Sequence, residues 1–146
     1  MIQEEFIKAS IRERQELVKW FKHYFKNKSY SYELTPVDGY DPYDAKLFFN
    51  GRTYLIECKI RDTHYNPLYL EKKKYDSLIK YKNEYDYILY FNKTPNGIYI
   101  GNISKLIMNN ITIEDKYCQI STIDKTKGNT LKSFIPMYIG VDMKKY

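Results

Sequence analysis

Two opposite charges stand side by side in an otherwise apolar stretch, Tyr54-Leu55-Ile56-Glu57-Cys58-Lys59-Ile60. In a strand, side chains alternate between faces, so Glu57 and Lys59 share one side while Ile56, Cys58 and Ile60 share the other. Taken alone, this pattern also suits a half-exposed strand with both charges in solvent. A second carboxylate shifts the balance. Asp44 opens the segment Asp44-Ala45-Lys46-Leu47-Phe48-Phe49, and Asn50-Gly51, the pair best suited to a type I′ turn, folds that segment back on the next. A hairpin centred on Asn50-Gly51 predicts Asp44 directly opposite Glu57, with Cβ atoms roughly 4.5–5.5 Å apart in a regular ladder. Like charges so placed repel, and a divalent cation between them removes the conflict. Hard carboxylate oxygens with no histidine or thiolate beside them suit Mg²⁺ or Mn²⁺ rather than zinc. Lys59 would then stand beside the metal, where an ammonium positions a water or stabilises charge developing on a phosphate.

The surrounding pattern supplies elements to hold these groups. Ile7, Ile11, Val18, Phe21 and Phe25 recur at helical spacing and predict a helix over residues 3–26 with those side chains on its buried face. Residues 30–34 alternate like a short strand, and Thr35 to Gly39, with Pro36 and Asp38-Gly39, break it. The hairpin 45–49/53–60 follows, then a loop over 63–67 and a second helix over 69–81. Strands are predicted at 85–91 and 98–103, joined by the turn Pro95-Asn96-Gly97, with a short helix capped by Ser104 and running through Met108. The tail predicts strands at 117–123 and 134–141. The expected fold class is α/β or α+β, a sheet flanked by helices, in a single domain over 1–146.

At 146 residues, 43% hydrophobic and 17% aromatic, the chain has enough apolar surface to bury a core. No run approaches the roughly 18 apolar residues of a membrane helix, and acids stand where a signal peptide carries basic residues, so an intracellular, cytoplasmic protein is expected. Cys58 and Cys118 fit neither a disulfide scaffold nor a zinc ribbon. The net charge of +6 is unevenly spread: residues 29–56 are net −2, between 1–28 and 57–82 at +3 each. That suits a small carboxylate site set in a surface attractive to phosphates. Lys72, Lys73, Lys74, Lys80, Lys82 and Arg61 are near the motif and are candidate phosphate contacts. The 17 tyrosines fit core and strand faces better than a base-stacking surface, and His64 reads as an incidental loop histidine. There is no P-loop, GxGxxG, HExxH or GxSxG, which leaves nucleotide hydrolysis, dinucleotide chemistry, zinc proteolysis and serine hydrolysis without support.

Asp44, then Glu57-Cys58-Lys59 thirteen residues on, resembles the PD-(D/E)xK nuclease superfamily. The likeness covers roughly residues 1–91 and includes the order helix, hairpin, helix, strand. It departs in one place: Tyr43 stands where the family's name has proline, and Asp41-Pro42 lies just before, making Asp41 an alternative or second ligand. The resemblance implies a restriction-endonuclease-like core of order α-β-β-β-α-β plus C-terminal strands. It also implies that Asp44, Glu57 and the Cys58 carbonyl bind Mg²⁺ or Mn²⁺ while Lys59 assists the attacking water. A glutamate of the first helix joins the site in some members, with Glu4, Glu5, Glu13 and Glu16 as candidates. Others carry Q-x-x-x-Y on the next helix, of which Glu71-Lys72-Lys73-Lys74-Tyr75 looks like a variant. On this basis Arg61, Glu71, Lys73, Lys74 and Tyr75 are expected to contact nucleic acid.

The function implied is a metal-dependent nuclease acting on DNA, similar to compact phage, mobile-element or junction-resolving members. Specificity would come from nucleic-acid structure, from a homodimer or from a partner protein. The alternative is a binding module of the same fold without catalysis, which would be expected to lack one of Asp44, Glu57 and Lys59. A further alternative is an unrelated basic adaptor with Glu57 and Lys59 as surface groups.

Overall fold

A computed structural model describes residues 2–37, 39, 41–119 and 129–146. Asp38 of the first turn and the end of the strand expected at 117–123 lie outside the described residues. The chain opens with α1 (Ile2–Tyr24), followed by β1 (Tyr30–Leu34), β2 (Ala45–Phe49), β3 (Arg52–Ile60) and β4 (Leu68–Glu71). Next come α2 (Lys72–Leu78), β5 (Tyr87–Thr94), β6 (Gly97–Asn102), β7 (Glu114–Gln119), β8 (Asn129–Met137) and β9 (Lys144–Lys145), with short 3₁₀ turns at Ile79–Tyr81, Ile103–Lys105 and Met108–Asn110. Six strands form one mixed sheet in the order β1-β2-β3-β5-β6-β9, antiparallel except for the β3–β5 pair. The others form a second sheet, β4-β8-β7.

The β2–β3 hairpin has the expected turn, with Asn50 at φ 53° and Gly51 at φ 71°, the left-handed pair that a type I′ turn requires. Its register pairs Phe49 with Arg52 and ends at Ala45 with Ile56. β3 is covered on both sides. Ile56 and Cys58 meet Leu17, Trp20 and Phe21 of α1 and Phe25 just after it, whereas Leu55 meets Leu68, Leu70, Tyr75, Leu78, Ile135 and Met137 from α2 and the second sheet.

Three expectations are corrected. The buried face of α1 carries Arg14, Leu17, Trp20 and Phe21, continued by Phe25 just beyond its end, while Ile11 is 40% exposed. Arg14 Nε and Nη2 donate to the Thr35 carbonyl and Oγ1, each at 2.8 Å. Holding Arg14 inward brings Leu17 and Phe21 onto the sheet and turns Ile11 and Val18 toward a shallow groove beside Leu34 and Val37. The second helix begins at Lys72, because Leu68 and Leu70 alternate at strand period and both are buried in β4 opposite Met137 and Ile135 of β8. The cap after β6 is Asn102, whose Oδ1 accepts from the Ser104 N–H at 3.1 Å, and the turn that follows is 3₁₀. Strand limits also move: β5 extends to Thr94, β7 starts at Glu114, and β8 covers Asn129–Met137, with residues 138–141 in a turn.

Gly101 of β6 lies directly under that turn. A Cβ there would sit 2.5 Å from both the Asp142 carbonyl oxygen and Met143 Sδ. Gly101→Ala is therefore expected to cost about 1–3 kcal/mol of stability through overpacking, read as a lower urea midpoint at unchanged m-value.

Candidate active site

Asp44 sits one residue before β2, and its N–H donates to the Ile56 carbonyl at 2.8 Å. Asp44 and Ala45 thus both address Ile56, as at a β-bulge, and the ladder stops short of pairing Asp44 with Glu57. The expected direct cross-strand pair is corrected accordingly. Asp44 reaches the same end of β3 by its side chain, whose Oδ2 accepts the Cys58 N–H at 2.7 Å, while Arg14 Nη1 lies 3.3 Å from Oδ1. Thr35 secures the segment, its N–H donating to the Asp44 carbonyl at 2.9 Å.

Glu57 is 8% exposed. Burial, then the neighbouring Asp44 charge, pushes its pKa up to about 8, against the opposing pull of Lys74, whose Nζ lies 3.4 Å from Oε1. Burial and Asp44 also push Glu13 of α1 up to about 7, with Lys59, Arg14 and Lys74 opposing. Asp44 itself is raised by burial, countered by the Cys58 N–H and Arg14. Three carboxyls from α1, the start of β2 and β3 therefore sense one another at one end of the sheet. Of the four first-helix glutamates, Glu13 is the one at this place: Glu4 and Glu5 are exposed and Glu16 pairs with Lys93 at 2.6 Å. Lys59 is half-buried, on the Glu57 face of β3, and among the described residues has no carboxylate within 4 Å. Cys58 is buried, its Sγ 3.6 Å from the Glu13 carbonyl, and burial drives its thiol pKa well upward. That thiol is unsuited to ionise as a ligand.

Other candidates fall elsewhere. Asp41 is exposed and outside the cluster. Tyr75 is 8% exposed in the core and presents no free ring face for a base, and Glu71 ends β4 and pairs with Lys132 at 3.8 Å, so the helical Q-x-x-x-Y-like arrangement is not formed. Arg61 Nη2 donates to the Tyr69 carbonyl at 3.2 Å, which ties the end of β3 to β4. Lys73, Lys80 and Lys82 are exposed, and Lys72 pairs with Asp76. His64 Nδ1 lies 2.9 Å from Thr94 Oγ1. Arg14 is a site member that sequence reasoning did not place there, and Lys74, expected as a contact to nucleic acid, pairs with Glu57. The available hint for Arg14 was its spacing of three and seven from Leu17 and Phe21.

Among the described residues, no three His, Cys, Asp or Glu side chains are gathered tightly enough to cage a metal. The donor set instead suits an open site. Asp44 and Glu57 supply hard carboxylate oxygens, the donor type that suits a cation which keeps several waters.

The raised carboxyls have a signed consequence for stability. Glu57 binds its proton more tightly folded, near pH 8, than at its ordinary 4.5, so its contribution is present in full below about pH 4.5 and is lost as pH rises through 8. In metal-free buffer the melting temperature of wild type is expected to fall relative to Glu57→Gln between about pH 5 and 8. A difference that stays flat over that window would show that Glu57 ionises normally.

Comparison with protein families finds no family model that matches the chain, and no curated protein matches it. Among solved structures, the chain is similar to Hjc, a Holliday junction resolvase from the archaeal hyperthermophile Archaeoglobus fulgidus, with a TM-score of 0.50 and 16% identity over 64% of this chain and 76% of that one. At that identity what the two share is the fold. The chain has a restriction-endonuclease-like mixed sheet flanked by helices, the fold that the Asp44…Glu57-Cys58-Lys59 pattern implies.

Proposed function

We propose that the chain is a divalent-metal-dependent nuclease of the PD-(D/E)xK type, one domain over 1–146 that hydrolyses phosphodiester bonds in DNA. The observation that carries this reading is the burial of Glu57 and Asp44, with Glu13 beside them, at one end of β3, where each carboxyl is harder to ionise than in water. Desolvated like charges are costly to fold, and a cation on the carboxylate oxygens supplies a reason for them. Asp44 and Glu57, with the Cys58 carbonyl, would hold Mg²⁺ or Mn²⁺. Such an ion, when bound, polarises a phosphoryl oxygen and lowers the pKa of a bound water.

The chain's own residues do the rest. The Cys58 N–H fixes Asp44 Oδ2, and Arg14 holds Oδ1. Lys59, free of any carboxylate within 4 Å among the described residues, offers its ammonium to the charge that builds on the phosphate. Lys74 and the exposed Lys73 lie along α2, with Lys80 and Lys82 just beyond it, and give the polyanion a basic flank. The resolvase neighbour makes a four-way DNA junction the first substrate to try, and a homodimer or partner protein would supply specificity.

One observation favours a non-catalytic binding module: Arg14 and Lys74 already neutralise Asp44 and Glu57 without any ligand. A labelled panel of duplex, single strand, flap, four-way junction and RNA, incubated with Mg²⁺, Mn²⁺ or EDTA, separates the two readings. The nuclease is expected to cleave DNA only with metal, and Glu57→Ala and Lys59→Ala are each expected to lower the rate by about 10²-fold or more. Absence of cleavage on every substrate, with junction binding indifferent to EDTA and to both substitutions, overturns the nuclease and establishes the module.

A further inference from the structure

Asn92 of β5 is the polar residue that the fold accounts for least. It is 0% exposed, and among the described residues neither its amide nitrogen nor its oxygen has a hydrogen-bond partner. Buried polar groups are almost always bonded, and each unmade bond counts against folding. An apolar side chain of similar volume would fill the position without that cost. Its neighbours indicate why an amide is there.

In the parallel β3–β5 pairing, Asn92 is the registered partner of Lys59, one row beyond Glu57 and Tyr90. All four side chains point to the same face, because alternation puts Glu57 with Lys59 and Tyr90 with Asn92. Adjacent strands run about 4.8 Å apart, within reach of a lysine side chain. Among the described residues, a lysine with no carboxylate within 4 Å is thus the registered neighbour of a buried amide whose oxygen has no donor. Tyr90 precedes Asn92 on the same face of β5, and burial raises its hydroxyl pKa while Arg61 and Asn92 pull it the other way. That hydroxyl is itself anchored, donating to the Tyr69 carbonyl of β4 at 2.9 Å, and Arg61 donates to the same oxygen at 3.2 Å.

We propose that Asn92 is a positioning residue for Lys59. Its carbonyl oxygen accepts a hydrogen bond from the Lys59 ammonium when that group turns to the reacting phosphate, and its NH₂ donates to Tyr90. The chain Lys59, Asn92, Tyr90, Tyr69 then ties the ammonium's aim to the second sheet. This inference rests on the nuclease reading, with Lys59 at the phosphate.

The test is steady-state cleavage of the four-way junction in Mg²⁺ by wild type, Asn92→Leu, Asn92→Asp, Tyr90→Phe, Lys59→Ala and the Lys59→Ala/Asn92→Leu double variant, with melting temperatures measured alongside. Asn92→Leu is expected to lower kcat by about tenfold or more with KM within about twofold, while melting no lower than wild type. Asn92→Asp, which keeps an acceptor oxygen, should restore most of the rate, and Tyr90→Phe should show a smaller loss than Asn92→Leu. In the Lys59→Ala background, Asn92→Leu should change kcat by less than about twofold, because it acts through a group already removed. An Asn92→Leu protein with wild-type kcat, one that melts well below wild type, or one that loses the same factor without Lys59 overturns the proposal. If wild type cleaves nothing, the nuclease reading fails first and takes this one with it. If wild type cleaves and Asn92→Leu does not differ, this inference alone fails.

Discussion

β3 is covered by α1 on one face and by α2 with the second sheet on the other, yet it carries a carboxylate and a lysine on one of those faces. Most features of the site follow from that conflict. A central strand paired on one side in parallel normally reads as an unbroken apolar run, and Leu55, Ile56 and Cys58 obey this. Glu57 does not, so its surroundings must neutralise it, and Lys74 from α2 and the proton it holds up to about pH 8 both do so. The same covering that makes the acid expensive makes it strong in electrostatic terms, because charges interact more strongly where water is excluded.

Arg14 is the second fixed point. One guanidinium donates to Thr35 and Ser10 and faces Asp44, so it orients α1, closes the loop before β2 and presents an acid at the end of β3. With Arg14 inward, Glu13 comes to the carboxyl cluster as well. Helix orientation and site assembly are here one event, and a change in either would be felt in both.

Much of this was legible in the residues. The Asn50-Gly51 turn, the hairpin register and the face shared by Glu57 and Lys59 depend on local rules, two-residue turns and strand alternation, and the fold conforms to them. The order of helix, hairpin, helix and strand was also readable, because each has its own period. What was not legible depends on contacts distant in sequence. The bulge at Asp44 is set by Ile56 and Thr35, the rotation of α1 by Arg14 reaching Thr35, and the conversion of residues 68–71 into a strand by β8, more than sixty residues away. Tyr75 illustrates the same limit: its likeness to the tyrosine of a Q-x-x-x-Y motif suggested a contact with nucleic acid, and the second sheet packed on α2 shows that it is interior.

The ion pair between Lys74 and Glu57, and that between Arg14 and Asp44, bear on how the chain would drift if it were released from its task. Each acid held in this apolar setting lowers stability, and replacing one together with its cationic partner by apolar side chains tends to be neutral or favourable for folding. Exchanging a pair together for apolar side chains would therefore cost the fold little, whereas losing one member alone would leave its partner's charge uncompensated in the interior.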